Sequence, residues 1–147
     1  MFFPIFLKIL LSSIVATAAM TGVSYIISES FKKLFKEPVL LSYFLHRLKI
    51  RASAKTLTIL AWLLHFLIGF LFVTIYHFIW SFDLFSFKWY NGLLLGAFSG
   101  IVGIIHWFGI FLYTNHQPKI PFTAYYIQLF LAHVIFGIVA FWTYGLF

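Results

Sequence analysis

Cysteine is absent from this sequence, and only three side chains carry carboxylates: Glu29, Glu37 and Asp83. Without cysteine there are no disulfides, thiolate metal ligands or cysteine nucleophiles. None of the carboxylates lies inside a long apolar run, and we expect Glu29 and Glu37 to cap or terminate helices among lysines. No serine, histidine and aspartate are placed to meet, and no glycine loop follows a strand to hold phosphate. The sequence therefore favours a non-enzymatic role.

Charged residues are scarce and hydrophobic residues abundant. They make up 9% and 63% of the chain respectively, and the mean hydropathy is +1.04. A soluble domain has roughly a quarter of its residues charged, so the composition indicates an integral membrane protein. A chain of 147 residues has room for about four spanning helices of ~20 residues each. We expect a single membrane domain, residues 1–147.

Four apolar runs are each long enough to cross a hydrocarbon core. We predict membrane helices at about residues 9–28, 56–79, 89–113 and 121–145. The first run imitates a secretory signal, because Lys8 precedes it and the small residues ATAAM follow, but we expect it to remain as the first membrane helix. The predicted fold is an all-α, four-helix transmembrane bundle.

Basic residues are concentrated between the first two predicted helices, in a connection that holds seven of the ten lysines and arginines. By the positive-inside rule this connection is cytoplasmic, so both termini face outward and the turn at 115–119 lies inside. A net charge of +7 also occurs in nucleic-acid-binding proteins, but charges beside membrane segments favour topology and anionic lipid headgroups. The candidate headgroup contacts are Lys32, Lys33, Lys36, Arg47, Lys49 and Arg51.

The same connection contains an amphipathic stretch. Pro38 suits the first turn of a helix, with Glu37 beside its positive end. An apolar side then follows, formed by Val39, Leu40, Tyr43, Phe44 and Leu48. We predict a short helix at about 38–50 that lies in the cytoplasmic interface.

Two apolar stretches nearly repeat each other: LLHFLIGFLFVTIY at 63–76 and LAHVIFGIVAFWTY at 131–144. In one register without gaps, His65 matches His133, Gly69 matches Gly137, and Tyr76 matches Tyr144. The coincidence of these less common residues predicts two helical hairpins related by duplication. Their pseudo-two-fold axis runs along the membrane normal.

Three histidines fall at similar predicted depths. His65 lies roughly 14 Å from the cytoplasmic edge, His133 roughly 18 Å and His106 about 10 Å, at 1.5 Å per residue. This spacing predicts a buried imidazole cluster. The histidines either hold neighbouring helices together by hydrogen bonds or line a ligand or ion site.

A further alternative is axial ligation of a b-type haem by His65 and His133, with Gly69 and Gly137 making room for the porphyrin. A zinc site is less favoured, because no carboxylate or cysteine is expected nearby.

The third predicted helix carries a row of glycines at Gly92, Gly96, Gly100 and Gly103. Successive GxxxG spacings allow a neighbouring backbone to approach closely. The first helix supplies small residues for such an approach, namely Ser13, Ala16, Thr17, Thr21 and Gly22. We therefore expect tight packing between these two helices, or a homodimer seam.

Several of these features together resemble the YagU-like bacterial inner-membrane proteins. They are the stretch from His65 to Tyr76, WYNGLLLGA at 89–97, His106, and His133 after a proline-containing turn. That family also shows a histidine-led apolar helix and a W-x-G-L-L-x-G-A helix entry. The resemblance covers the C-terminal two thirds. It implies a bacterial inner-membrane location and a link to acid tolerance. This chain is shorter, with a tight outer loop and no polar C-terminal tail.

Taken together, the sequence predicts a bundle that binds a small apolar ligand, a lipid or a protein partner, as a homodimer or within a larger membrane complex. Two other functions compete with this one. One is a haem-carrying electron carrier that uses His65 and His133. The other is a small transporter or channel subunit with a histidine-lined path.

Overall fold

The computed structural model describes residues 2–48, 50–114 and 118–147, and within them the chain is helical without strands. Its helices are α1 (Phe2–Phe31), α2 (Glu37–Arg47), α3 (Ala54–Ser81), α4 (Trp89–Tyr113) and α5 (Phe122–Gly145). The four longer helices are each long and apolar enough to cross a membrane. These findings confirm the all-α class and the four predicted membrane-length helices.

Local signals explain several helix boundaries. Ser53 caps α3, because its hydroxyl accepts a hydrogen bond from the Thr56 backbone N–H at 3.1 Å. Pro38 occupies the first turn of α2, where its missing N–H leaves no hydrogen bond unmade. Asp83 adopts a left-handed φ of 52° directly after α3, a conformation that aspartate tolerates better than most residues.

Consecutive long helices run antiparallel, as their contacts show. Thr21 of α1 reaches His65 of α3, and Ser24 of α1 reaches Gln128 of α5. One end of the bundle therefore holds the C-termini of α1 and α4, the N-termini of α3 and α5, and all of α2. We call it the α2 end.

The fifth helix occupies the centre of the bundle and is the most buried of the four long helices. It packs extensively against α4 on one side and α1 on the other, while α3 packs against α1 and α2. Among the described residues, α3 and α4 do not form such an extensive pair. They are joined near the end remote from α2, where the Tyr76 hydroxyl lies 3.0 Å from the Leu95 carbonyl oxygen and 2.6 Å from Ser99 Oγ.

Two apolar clusters form the core. The cluster remote from α2 includes Val73, Tyr76 and Phe136, and the other includes Leu40 and Leu57 near α2. Many leucine and phenylalanine side chains elsewhere on the long helices point outward, among them Leu63, Phe98 and Leu112, which are 62%, 66% and 65% exposed. This outward apolar surface is the one expected where lipid replaces water as the solvent.

The glycine row of α4 packs against α5, so the prediction that it packs against α1 was wrong. A Cβ atom built on Gly96 would lie 2.5 Å from the His133 carbonyl oxygen and 3.0 Å from the Gly137 Cα. Gly92 and Gly100 likewise approach α5. Gly137 completes the seam because a glycine on each helix removes the last side-chain atoms between the two backbones.

Two of the small residues assigned to that predicted packing behave differently. Thr17 of α1 lies against Gly69 of α3, where an added Cβ would overlap its hydroxyl. Gly22 is exposed, and a Cβ there would meet nothing within 4 Å. The close approach of α1 therefore involves α3, and Gly22 takes no part in it.

The second helix begins and ends near its predicted limits, but its apolar face is rotated. Leu41 and Leu45 are buried with Leu40, whereas Val39 and Leu48, which were predicted on the apolar face, are 40% and 47% exposed. The side of α2 that is buried is set by its packing against α3. Lys49, predicted inside this helix, lies outside the described residues.

Candidate functional site

A cavity of about 210 Å³ lies where the two apolar clusters meet, and all five helices contribute to its wall. Most of the wall is apolar, with side chains such as Met20, Phe72 and Phe136. Its polar residues are Thr17, Glu37, His65, His106 and His133.

The hydrogen bonds of His65 determine which of its ring nitrogens is protonated. Its Nε2 lies 2.8 Å from the Thr21 hydroxyl, and that hydroxyl donates its only proton to the Thr17 carbonyl oxygen at 2.7 Å. Thr21 must therefore accept from His65, so the hydrogen-bond network assigns the proton to Nε2. The other nitrogen, Nδ1, is left as an acceptor with no hydrogen-bond partner among the described residues.

In His133, a hydrogen bond to a backbone carbonyl determines which ring nitrogen is protonated. Its Nδ1 lies 2.8 Å from the Leu129 carbonyl oxygen and donates to it, so Nε2 is the acceptor and has no partner among the residues that the structure describes. The same end of the ring lies against α4, where a Cβ on Gly103 would lie 3.2 Å from Nε2 and 3.1 Å from Cε1. Gly103 thus leaves the room that this imidazole needs.

His106 differs from the other two histidines because it is exposed, whereas His65 and His133 are 7% and 6% exposed. Beside it in the wall, Ile68 of α3 and Val102 of α4 are 40% and 38% exposed. These three residues mark an opening on the bundle surface between α3 and α4. It lies nearer the α2 end than the Tyr76 bridge.

The structure therefore places all three predicted histidines in the wall of one cavity, two of them buried and one at its rim. Within the described part of the chain, no three histidine, cysteine, aspartate or glutamate side chains are close enough to hold a metal ion.

Glu37 is a cavity residue that sequence reasoning missed. It is 2% exposed, and its Oε1 accepts hydrogen bonds from Ser24 Oγ at 2.8 Å and from Gln128 Nε2 at 3.3 Å. Ser24 and Gln128 each lie about 10 Å from the α2 end at 1.5 Å per residue. Glu37 shares the cavity wall with the three histidines, because α2 folds back against the bundle and carries this carboxylate inward.

Burial raises the pKa of Glu37 to about 7, against the opposing effect of hydrogen bonds from its own backbone N–H, Ser24 and Gln128. A hint was present in the sequence, since Glu37 precedes a proline and opens an amphipathic helix. That context also suits an exposed helix cap, so the sequence did not distinguish the two.

Several buried polar atoms in and beside the cavity wall have no hydrogen-bond partner among the described residues. They include Thr17 Oγ1, Glu37 Oε2, Tyr125 Oη and Gln128 Oε1. Unpartnered buried oxygens are rare and call for an explanation, such as a water or a bound ligand.

The two repeat glycines occupy comparable places. Gly69 lies against Thr17 of α1, and Gly137 lies against Gly96 of α4, so each glycine of the matched stretches packs on the preceding long helix. The matched tyrosines differ, since Tyr76 bonds to α4 while the Tyr144 hydroxyl lies 2.6 Å from Nδ1 of His77 on α3.

Most of the candidate headgroup residues are exposed at the α2 end: Lys32, Lys33, Arg47 and Arg51. Lys36 is half-buried and pairs with Glu29. The guanidinium of Arg47 lies 4.9 Å from the centre of the Tyr43 ring. The structure thus shows a basic surface at this end of the bundle.

No protein-family model, curated protein or solved structure matches this chain. The resemblance to YagU-like proteins therefore remains a prediction, and function has to be argued from the cavity itself.

Proposed function

We propose that this chain is a multi-pass membrane protein that binds a small amphipathic molecule in the cavity. Such a ligand has an apolar body and a hydrogen-bond-donating group. The observation that carries the proposal is that His65 and His133, both buried in the cavity wall, each keep one ring nitrogen as an acceptor with no partner in the described part of the chain. A ligand that donates to either nitrogen would satisfy it.

The size and position of the cavity favour a ligand that arrives through the membrane. An apolar cavity of about 150 Å³ accommodates benzene, so about 210 Å³ has room for one ring and a short polar arm. The exposed side chains of Ile68, Val102 and His106 lie at the opening between α3 and α4. In a membrane this opening faces lipid, from which an apolar ligand can enter.

Two probes of equal size test the proposal: benzyl alcohol, which donates a hydrogen bond, and ethylbenzene, in which a methyl group replaces the hydroxyl. Ligands that bind only the folded state raise the unfolding temperature. In detergent, we expect benzyl alcohol to bind about fivefold more tightly than ethylbenzene, since one hydrogen bond contributes about 1 kcal/mol. Equal shifts for the two probes, or no shift for either, would contradict the proposal.

Matched variants test whether the probes bind in this cavity and whether they enter it between α3 and α4. Each replacement, His65→Phe or His133→Phe, removes one acceptor and should reduce the preference for the alcohol, whereas His46→Phe changes an exposed histidine of α2 and should not. Val102→Trp should obstruct the opening, while Ile101→Trp alters the adjacent, 50% exposed residue and serves as its control. If Val102→Trp leaves binding unchanged, the ligand does not enter between α3 and α4.

A second candidate, the b-type haem held by His65 and His133, rests on the same free nitrogens, and a porphyrin of four pyrrole rings would need the helices to move apart beyond the present cavity of about 210 Å³. Neutral imidazoles whose other N–H is pinned by an oxygen are typical of metal ligation. An absorbance spectrum of the purified protein tests it. A Soret band that is lost in His65→Phe and in His133→Phe supports haem, and its absence argues for the small-ligand site.

The proposed location is a bacterial inner membrane, with the α2 end and its short interfacial helix in the cytoplasm and both termini outside. The exposed lysines and arginines at the α2 end support this orientation. Because the chain has no cysteine, single cysteines at Ser30 and Ser86 can be labelled with an impermeant maleimide on intact cells. Labelling at Ser86 alone supports the orientation, and labelling at Ser30 alone reverses it.

The proposed internal repeat pairs the α1–α3 hairpin with the α4–α5 hairpin. Its support is that Gly69 and Gly137 each pack on the first long helix of their own hairpin. Homologues in which the His-x-x-x-Gly spacing recurs in both hairpins would support duplication.

A further inference from the structure

Glu37 lies buried in the cavity wall, and no cation of the described residues lies beside its carboxyl group. Its neighbour Lys36 pairs with the exposed Glu29 instead, and its Nζ lies 4.8 Å from the centre of the Tyr25 ring. This is the only ion pair in the described ranges of the chain. A buried carboxylate without a counter-ion is costly, so Glu37 needs either a proton or a positive partner.

Among the unpartnered atoms in and beside the cavity wall, those that can only accept outnumber the hydroxyls of Thr17 and Tyr125, which can also donate. Glu37 Oε2 and Gln128 Oε1 have no partner among the described residues. The remaining ring nitrogens of His65 and His133 also accept. The chain therefore leaves several acceptors unpaired on the residues in and beside one cavity wall. A ligand with several donors and a positive charge complements such a wall better than a hydroxyl does.

We propose that the cavity binds a primary amine whose ammonium group pairs with the carboxylate of Glu37. This inference rests on the proposed function, because it names the chemical class of ligand for the same cavity. An ammonium supplies three donors, which can satisfy the unpaired acceptors, and one positive charge, which can act as the missing counter-ion. The apolar wall, with Met20, Phe72 and Phe136, receives the hydrocarbon part of the amine.

Binding of the amine is coupled to release of a proton. Because burial raises the pKa of Glu37 to about 7, the carboxyl of the empty site is half protonated near neutral pH and mostly protonated below it. Pairing with an ammonium requires the carboxylate, so the carboxyl proton leaves to solvent as the amine binds. The other titratable groups around Glu37 come from all four long helices: Tyr25 of α1, His65 of α3, His106 of α4, and Tyr125 and His133 of α5.

The test adds benzylamine to the probes used above. It is the same size as ethylbenzene and benzyl alcohol, and it stays charged below about pH 8, as alkylammonium groups do. We expect benzylamine to bind about tenfold more tightly than benzyl alcohol at about pH 8. Its affinity should fall by at least about tenfold at about pH 5.5, where Glu37 is protonated. The affinity of benzyl alcohol should change far less.

Glu37→Gln keeps the size of the side chain but removes its charge, so it should abolish both the preference for benzylamine and its pH dependence. Glu29→Gln removes the exposed carboxylate and should leave both intact. If Glu37→Gln does not fold, the pH dependence of benzylamine binding to the wild-type protein still tests the inference. Benzylamine that binds no better than benzyl alcohol at either pH would overturn this inference and leave the proposed function standing. Benzyl alcohol that binds no better than ethylbenzene would instead overturn the proposed function.

Discussion

His65 donates its Nε2 proton to the hydroxyl of Thr21, across 2.8 Å between α3 and α1. The direction of this bond follows from a second one, because Thr21 uses its own proton on the Thr17 carbonyl oxygen. The pair therefore joins two membrane-length helices and determines which nitrogen of His65 stays available as an acceptor. A helix-to-helix hydrogen bond of this kind is a structural feature as well as part of the candidate site.

Replacing Thr21 with valine should destabilise the protein by about 1–3 kcal/mol, because a buried Nε2–H would lose its acceptor. Thr21→Ser keeps the hydroxyl and should cost less. Thr58→Val is the matched control, since that exposed hydroxyl bonds only within its own helix. Thermal unfolding in detergent measures all three. Equal losses for Thr21→Val and Thr58→Val would show that the His65 bond contributes nothing.

The close packing of α4 on α5 through glycines leads to a prediction, for which two other glycines of the chain serve as controls. In Gly96→Ala the new methyl group would lie 2.5 Å from the His133 carbonyl oxygen, a backbone atom that cannot move aside. We expect a loss of about 3 kcal/mol or more, at the upper end for overpacked cores. At Gly22 and Gly109 a methyl group would meet nothing. Alanine there should stabilise the helix by up to about 1 kcal/mol. Unfolding temperatures that fall equally for all three variants would argue against the α4–α5 seam.

The positions of the membrane-length helices follow from the sequence because run length alone decides whether a helix can cross a bilayer. Which helix faces which does not follow in the same way. Gly96 and Gly100 identify a face for close approach, but α1 and α5 both offer small residues to meet it. Gly137 decides the partner, since opposed glycines let the α4 and α5 backbones come closest.

The sequence also predicts part of the candidate site, namely the depth of its histidines in the membrane. Counting residues along helices estimates depth, and it brings His65, His106 and His133 to one layer. It does not give the rotation of each helix, which leaves His106 at the rim. Glu37 escaped prediction because its burial depends on α2 packing against α3 and on Ser24 and Gln128 coming from two other helices.

The Tyr76 hydroxyl should prove important for holding α3 to α4. Tyr76→Phe removes its contacts with the Leu95 carbonyl oxygen and Ser99 Oγ, and we expect a cost of about 1–3 kcal/mol. Tyr113→Phe, at a position 82% exposed, should change stability by less than about 0.5 kcal/mol. A double-mutant cycle with Ser99→Ala isolates the side-chain pair. Strictly additive losses would mean that Tyr76 and Ser99 do not interact.

Glu37 should make the stability of the ligand-free protein fall as the pH rises. Its pKa is about 7 in the folded protein, above the value of 4.5 expected for an unperturbed glutamate. The folded state therefore binds the extra proton between these two values. The stabilising contribution is complete below about pH 4.5 and is lost as the pH rises through about 7, a change of about 3 kcal/mol.

Unfolding of the wild type and of Glu37→Gln, each followed from about pH 4.5 to about pH 8, measures this contribution as a difference. Every other titratable group is present in both proteins, so its contribution cancels from the difference to first order. We expect the variant to gain stability relative to the wild type as the pH rises. Glu29→Gln should follow the wild type across the range. A constant difference between wild type and Glu37→Gln would mean that Glu37 carries the same charge in the folded and unfolded states.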